Sequence, residues 1–208
     1  GTKQVAVAFG GDGAVNSPYY FSALRSARTY NLPFIAVIEN NYYQVQIPME
    51  TCTPGGRGAL YTTGIGIPSV IVDGNDVAQV YAATKEAADR ARAGGGPSVI
   101  ECMTYRWYDH VGFGGAKVGV DGAFGLLYRS DDEVRAWMAR DPIARYKAFL
   151  LQRKLLTEDE LTKIEEDAQQ AAVEALDFAV ASPPPKPEDG LLHVYTEGAV
   201  AATQFLSD

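Results

Sequence analysis

Two wholly apolar runs, with a glycine-rich break and a helical stretch between them, constrain this chain more than any other feature. Val5-Ala6-Val7-Ala8-Phe9 is the first run, Gly10-Gly11-Asp12-Gly13 the break, and Phe34-Ile35-Ala36-Val37-Ile38 the second run. Short strands with no polar alternation are expected to be buried on both faces, as in a parallel sheet. Between them, Ser17-Pro18 predicts an N-cap followed by proline at the first helical position, where a missing N–H does no harm. Phe21, Leu24 and Ala27 follow at helical spacing, and Leu32-Pro33 stops the helix. The pattern then repeats. Ser69–Val72 leads into Asp73-Gly74-Asn75-Asp76, side chains suited to cap a helix from about Val77 to Arg92. Gly94-Gly95-Gly96-Pro97 ends that helix, and Ser98–Cys102 reads as another strand. Strands alternating with helices predict an α/β fold in three layers: a mostly parallel sheet, wound right-handed, with helices on both faces.

Residues 1–129 are expected to form this core. Six glycines between Gly112 and Gly125 break all periodicity, so 106–128 reads as a long loop of the kind that is usually functional or disordered. Residues 130–182 are predicted as a C-terminal helical extension. Its starts are a capping box at Ser130–Glu133, an N-cap and proline at Asp141-Pro142, and Thr157–Glu160, which opens an amphipathic helix to about Ala181. Ser182-Pro183-Pro184-Pro185-Lys186-Pro187 forces an extended tail over 183–208. Eighteen basic against 26 acidic residues give a net charge of −8, which argues against nucleic acid as a non-specific partner. Two cysteines build no disulfide framework, and no Cys/His spacing suits zinc. No apolar run reaches membrane-spanning length and no signal-peptide pattern opens the chain. The expectation is a soluble cytoplasmic protein with no membrane partner.

A glycine turn between a buried strand and a helix is a phosphate-binding arrangement in general. Here Gly11-Asp12-Gly13-Ala14-Val15-Asn16 has an aspartate between its glycines and lacks the third glycine of a dinucleotide fingerprint. A bare carboxylate facing a diphosphate is repulsive unless a cation lies between them, and Mg2+ commonly joins one or two carboxylates to phosphates. In a right-handed β-α-β unit both strands end on one sheet edge, where ligands bind. That topology brings Asn41, in the turn Glu39-Asn40-Asn41, towards Asp12. A carboxylate, an amide oxygen, a nearby backbone carbonyl, water and phosphate oxygens would complete an octahedral magnesium shell. The competing account is that Asp12 and Asn41 only satisfy turn backbone, as Asp and Asn often do.

Gly11-Asp12-Gly13, 26 residues, then Asn40-Asn41 resembles the thiamine-diphosphate motif. The finer text is similar to the alpha subunit of 2-oxo-acid dehydrogenases of the pyruvate, branched-chain and acetoin types. The stretches that carry the resemblance are Gly11–Asn16, Leu32-Pro33, Glu39–Tyr43, Val72–Val77, Ala91–Pro97, Thr104-Tyr105-Arg106 with His110, Tyr128-Arg129 and Arg140–Ile143. The similarity runs from Gly1 to about Tyr195. The resemblance implies the thiamine-diphosphate-binding fold, with thiamine diphosphate and Mg2+ as cofactors. It implies Asp12, the Asn41 side chain and the Tyr43 carbonyl as metal ligands, and backbone contacts from the Gly11, Gly13 and Ala14 turn to the diphosphate. Arg106 and His110 would reach the cofactor's phosphates, His110 also serving acyl transfer as the catalytic residue. Independently, the guanidinium of Arg106 is a planar fork suited to phosphate, and only two histidines exist to choose between. The other, His193, has no such company and reads as structural or exposed.

The implied activity is decarboxylation of a 2-oxo acid and transfer of the acyl unit to a lipoyl group or another carrier, in an enzyme active only with partner subunits. The implied partners are a beta subunit carrying the glutamate that activates the aminopyrimidine, and a lipoyl-bearing acyltransferase or acyl carrier. Family alpha subunits carry a long region before the Gly-Asp-Gly turn, whereas this sequence starts about ten residues before it. The expectation is a separate chain supplying the missing N-terminal half; an artificial or proteolytic fragment is the competing explanation. Ser17-Pro18 replaces a Glu/Gln-Gly pair, Asp109 stands where glycine is usual, and Val111 occupies the position of a regulatory phosphoserine in mitochondrial relatives. Two rival functions are a transketolase-like ketol transferase, which shares the cofactor motif, and a non-catalytic assembly module, which has no use for a magnesium site.

Overall fold

The computed structural model describes residues 2–111 and 126–192. Most of the glycine-rich loop expected over 106–128 lies outside the described residues, as do His193 and most of the expected extended tail. The chain divides after Leu155 into two compact units.

In the first unit, β1 (Ala6–Gly11) passes through the glycine turn into α1 (Pro18–Thr29) and then β2 (Phe34–Asn40). A hairpin follows, β3 (Tyr43–Gln44) and β4 (Ile47–Pro48), then the single turn α2 (Met49–Cys52) and a 3₁₀ segment, Gly58–Ile65. The second α/β repeat supplies β5 (Ser69–Asp73), α3 (Val77–Arg92) and β6 (Ser98–Met103). Helices α4 (Asp131–Met138) and α5 (Pro142–Gln152) belong to this unit. The main sheet has the order β1-β2-β6-β5, with every pair parallel.

Alternation along the central strands creates the three layers. Ala36 and Ile38 of β2 and Val99 of β6 pack with Val15 and Leu24 on one face. Ile35, Val37, Ile100 and Cys102 turn to the other face, against Ala87 of α3. Burying a residue of this size is worth about 1.5–3 kcal/mol, so both faces contribute to holding the sheet. Helix starts follow their local chemistry: Ser17 accepts from the Tyr19 N–H, Asp76 from those of Ala78 and Gln79, and Asp141 from that of Ile143.

Three expectations need correction. The described part of the tail is not extended throughout, because Pro187–Leu191 forms a 3₁₀ turn in which the Asp189 carboxylate accepts from the Lys186 N–H. β1 is not buried on both faces: it is an edge strand of the described sheet, and Phe9 is 70% exposed. Its apolar character therefore has no cover among the described residues. The capping box at α4 is only half formed. Ser130 accepts from the Glu133 N–H, but the Glu133 carboxylate accepts from the Tyr43 hydroxyl instead of turning back to its own helix end.

The second unit contains α6 (Glu158–Ala181), whose N-terminus carries a complete capping box between Thr157 and Glu160. No described helix is long and apolar enough to cross a membrane.

Candidate functional site

The register of the first two strands sets the site. Gly11 lies opposite Glu39 in the parallel pair, so Asp12 and Asn41 leave adjacent strand tips on the same sheet edge. Asp12 is buried, at 2% exposure, and its Oδ2 has no hydrogen-bond partner. Burial pushes the Asp12 carboxyl up from its ordinary range. The N–H dipoles of Asp12 itself, Asn41 and Gly13, and the charge of Arg106, pull it back without cancelling the rise. The Asn41 backbone and Arg106 are thus close enough to act on the carboxylate, and for Asn41 that is the proximity the topology predicted.

The turn after β2 is built from side-chain oxygens. Asn40 Oδ1 accepts from the Tyr42 N–H at 3.0 Å, and Asn41 Oδ1 from the Tyr43 N–H at 3.2 Å. The backbone-satisfying role that competes with metal binding is therefore present at Asn41. An amide oxygen has two lone pairs, so one remains available to a cation. Tyr42 takes a left-handed conformation, φ 70°, and the Met49 N–H donates to its carbonyl at 2.8 Å. Antiparallel ladders alternate, so the next pair, Tyr43 with Pro48, is not hydrogen-bonded, and the Tyr43 carbonyl points away from β4.

On the glycine turn, Gly13 opens a short 3₁₀ turn, Ala14–Asn16. A Cβ at Gly13 would stand 2.8 Å from Gln44 Cγ, so the β3 hairpin closes directly over this residue. A Cβ at Gly11 would meet nothing, so packing within this chain does not demand glycine there. Gln44 and Asn16 were not anticipated from sequence. Asn16 Nδ2 donates to Thr53 Oγ1 at 2.8 Å and to Gln44 Oε1 at 3.2 Å, tying turn, hairpin and α2 together.

Arg106 leaves β6 and reaches the same corner. Its Nη2 donates to the Val45 carbonyl at 2.6 Å and to the Tyr128 hydroxyl at 3.1 Å, and its Nε to the Tyr108 carbonyl at 3.1 Å. Nη1 lies 3.4 Å from His110 Nδ1. His110 is exposed, and its N–H donates to Asp109 Oδ1, which also accepts from the Tyr128 hydroxyl. The structure therefore brings Asp12, Asn41, Arg106 and His110 to one edge. Behind them Tyr43, Tyr105 and Val134 form a buried cluster with Trp107, Tyr128 and Trp137 packed against it. Arg129 donates to the carbonyls of Arg106 and Trp107, fixing the exit from β6.

No three His, Cys, Asp or Glu side chains converge on one point among the described residues. This sheet edge offers one buried carboxylate with an orphaned oxygen, and the adjoining 40–43 turn carries one amide oxygen with a free lone pair and the Tyr43 carbonyl. That hard, all-oxygen set fits Mg2+, which keeps water and phosphate oxygens in its remaining positions. Thiamine diphosphate, whose diphosphate would supply those oxygens, also fits a corner that carries Arg106 beside the glycine turn.

The family model described as "Dehydrogenase E1 component" matches residues 1–188. The alpha subunit of acetoin:2,6-dichlorophenolindophenol oxidoreductase from Bacillus subtilis (strain 168) is 37% identical over 194 residues, covering 93% of this chain and 55% of the relative. The chloroplastic pyruvate dehydrogenase E1 component subunit alpha-3 of Oryza sativa subsp. japonica is 36% identical over 196 residues, covering 93% and 43%. The pyruvate dehydrogenase E1 component subunit alpha of Staphylococcus aureus (strain Mu50 / ATCC 700699) is 36% identical over 180 residues, covering 85% and 46%. The chain spans about half the length of the curated relatives it matches.

Proposed function

The chain belongs to the dehydrogenase E1 component family, and on that footing we propose that it is the diphosphate- and magnesium-binding part of a thiamine-diphosphate-dependent 2-oxo-acid dehydrogenase. The observation that carries this reading is the buried Asp12 carboxylate, with an unpartnered Oδ2, beside the Asn41 turn and Arg106. A buried carboxylate oxygen left without a partner is costly, and a divalent cation held between it and a diphosphate would offset that cost.

When bound, thiamine diphosphate supplies the nucleophilic carbon and the electron sink for decarboxylating a 2-oxo acid. The residues of this chain do the holding. Asp12, the Asn41 amide oxygen and the Tyr43 carbonyl would ligate Mg2+. The Gly11–Ala14 turn would face the diphosphate with its backbone, and Arg106 would add charge-assisted hydrogen bonds to the phosphate oxygens. His110, exposed at the mouth of the corner and held next to Arg106, is positioned to orient an incoming acyl acceptor.

The partners proposed are a beta subunit that carries the pyrimidine-activating glutamate and a lipoyl-bearing acyltransferase or other acyl carrier. The open β1 edge, with Phe9 exposed, favours further polypeptide along that strand, whether from a longer form of this chain or from a separate one. Calorimetric titration of the isolated complex with thiamine diphosphate, with and without Mg2+, tests the cofactor assignment. Release of carbon dioxide from a panel of 2-oxo acids tests the reaction. Metal-dependent binding with no carbon dioxide from any 2-oxo acid would remove the dehydrogenase assignment while leaving the cofactor; no binding would remove both.

A further inference from the structure

Glu101 is a charged residue in the middle of β6, whose six residues are all buried. Both it and Asn40 are 0% exposed. A wholly buried carboxylate survives only with donors on its oxygens. Glu101 has three: Asn40 Nδ2 at 2.6 Å and the Gly58 N–H at 3.2 Å on Oε1, and the Ala59 N–H at 2.8 Å on Oε2. Asn40 is bonded at both ends of its side-chain amide and at its carbonyl. Its Nδ2 also donates to the Gly56 carbonyl at 3.3 Å, its Oδ1 accepts from the Tyr42 N–H, and its own carbonyl accepts from the Thr104 N–H at 2.8 Å. One continuous set of hydrogen bonds therefore runs from the Gly58–Ile65 segment, through Glu101 and Asn40, into the turn that presents Asn41 and Tyr43.

We infer that Glu101 is a positioning residue: through Asn40 it fixes the 40–43 turn in the conformation that aims the Asn41 amide and the Tyr43 carbonyl at the candidate metal site. The inference rests on the magnesium-site reading proposed above. Glu101 acts on the site through Asn40, by locking the rotamer of that side chain. The lock is directional. Asn40 must offer its NH2 to Glu101 and to the Gly56 carbonyl in order to offer its oxygen to the Tyr42 N–H, and the carboxylate, at 2.6 Å, is the nearer of the two acceptors that set which way round the amide sits. The Tyr42 conformation, left-handed in a non-glycine residue, is uncommon and needs such an outside constraint.

The test compares Mn2+ binding, read by electron paramagnetic resonance in the presence of thiamine diphosphate, across variants of the complex as isolated. Glu101→Gln puts an NH2 where N–H donors converge, and Asn40→Asp removes the donor to Glu101. Each is expected to weaken Mn2+ binding about tenfold or more, the effect of losing roughly 1.4 kcal/mol. In Asn40→Asp combined with Glu101→Gln, donor and acceptor exchange places. The carboxylate introduced at position 40 can accept from the amide introduced at position 101 and still accept from the Tyr42 N–H, whereas the Gly56 carbonyl loses its donor and the Gly58 N–H its acceptor, so binding is expected to recover in part. A residue that only capped the Gly58–Ile65 segment would lower the melting temperature without this recovery. Wild-type Mn2+ affinity in Glu101→Gln, or a double variant that binds no better than the weaker single, would overturn the inference. If Glu101→Gln fails to fold, Asn40→Ser, which leaves the Gly58 and Ala59 bonds intact, takes its place, and wild-type affinity there would overturn it equally. Failure of the underlying reading looks different: wild type then shows no thiamine-diphosphate-dependent Mn2+ binding, or Asp12→Asn binds like wild type.

Discussion

The Tyr43 hydroxyl donates to both carboxylate oxygens of Glu133, at 2.9 and 3.1 Å, and so joins the hairpin beside the candidate metal site to the first turn of α4. The phenol ring is buried with Tyr105 and Val134, while Glu133 is half-buried and can be rehydrated. Tyr43→Phe removes the bond but keeps the ring, so a loss of about 1–2 kcal/mol of stability is expected in urea denaturation. The affinity for thiamine diphosphate should stay near wild type, since the proposed ligand from this residue is its carbonyl. Burial, reinforced by Glu133, pushes the Tyr43 hydroxyl up to about 12 from 10.0. A raised value in the fold means that this stability is fully present below pH 10 and is lost as pH climbs through about 12. A pH titration of unfolding free energy that shows no extra alkaline loss relative to Tyr43→Phe would contradict the assignment.

Asp12 predicts a trade between stability and binding. Its carboxyl is pushed up by burial, so in the absence of a cation the ionised form burdens the fold. Asp12→Asn keeps the shape and removes the charge. The metal-free protein should therefore melt higher, by roughly 2–4 °C for each 1 kcal/mol gained in a chain of this size. The same variant should lose the rise in melting temperature that Mg2+ and thiamine diphosphate are expected to give to wild type. A variant that melts lower without metal, or that still responds to Mg2+, would show that Asp12 serves the turn alone.

Much of the fold was legible because its determinants are local. The apolar runs of β2 and β6, the caps at Ser17, Asp76 and Asp141, and the capping box at Thr157 each depend on residues within a few positions of one another. The convergence of Asp12 and Asn41 was legible too, because the handedness of a β-α-β unit leaves little choice. The hairpin was not. Val45 is β-branched yet sits at φ 59°, a conformation that local preference argues against. Distant bonds hold it there: Arg106 Nη2 grips its carbonyl, and Gln44 beside it packs over Gly13. Glu101 did leave a trace, a lone charge within the apolar run Ser98–Met103, but its partners Gly58 and Ala59 come from a segment with no periodic signal. Phe9 misled because an apolar run does not reveal whether its strand is central or at an edge.

Val45 offers a direct measure of that imposed strain. Non-glycine residues in sparsely populated backbone regions cost about 1–3 kcal/mol, and glycine adopts the left-handed region freely. The Val45 side chain is exposed, so its removal forfeits little packing. Val45→Gly is expected to raise the urea midpoint by the equivalent of about 1 kcal/mol after the extra chain entropy of glycine is subtracted. A lower midpoint would mean that the Val45 side chain contributes contacts that outweigh its backbone strain.

Arg106 and His110 lie 3.4 Å apart but are assigned separable tasks. Arg106 serves the Val45 carbonyl, the Tyr128 hydroxyl and the Tyr108 carbonyl while acting electrostatically on Asp12. Lysine keeps the positive charge but cannot reproduce a planar fork of donors. Arg106→Lys is therefore expected to weaken thiamine diphosphate binding by about tenfold or more, a loss near 1.4 kcal/mol. His110 is exposed and bonded mainly through its backbone to Asp109, so His110→Ala should leave cofactor affinity close to wild type. Its defect should appear in transfer of the acyl group to a carrier, measured against decarboxylation with an artificial electron acceptor. If His110→Ala loses cofactor binding as severely as Arg106→Lys, the two act as one phosphate-binding unit and the acyl-transfer role falls. If Arg106→Lys binds like wild type, charge alone suffices at this corner and the fork geometry is irrelevant.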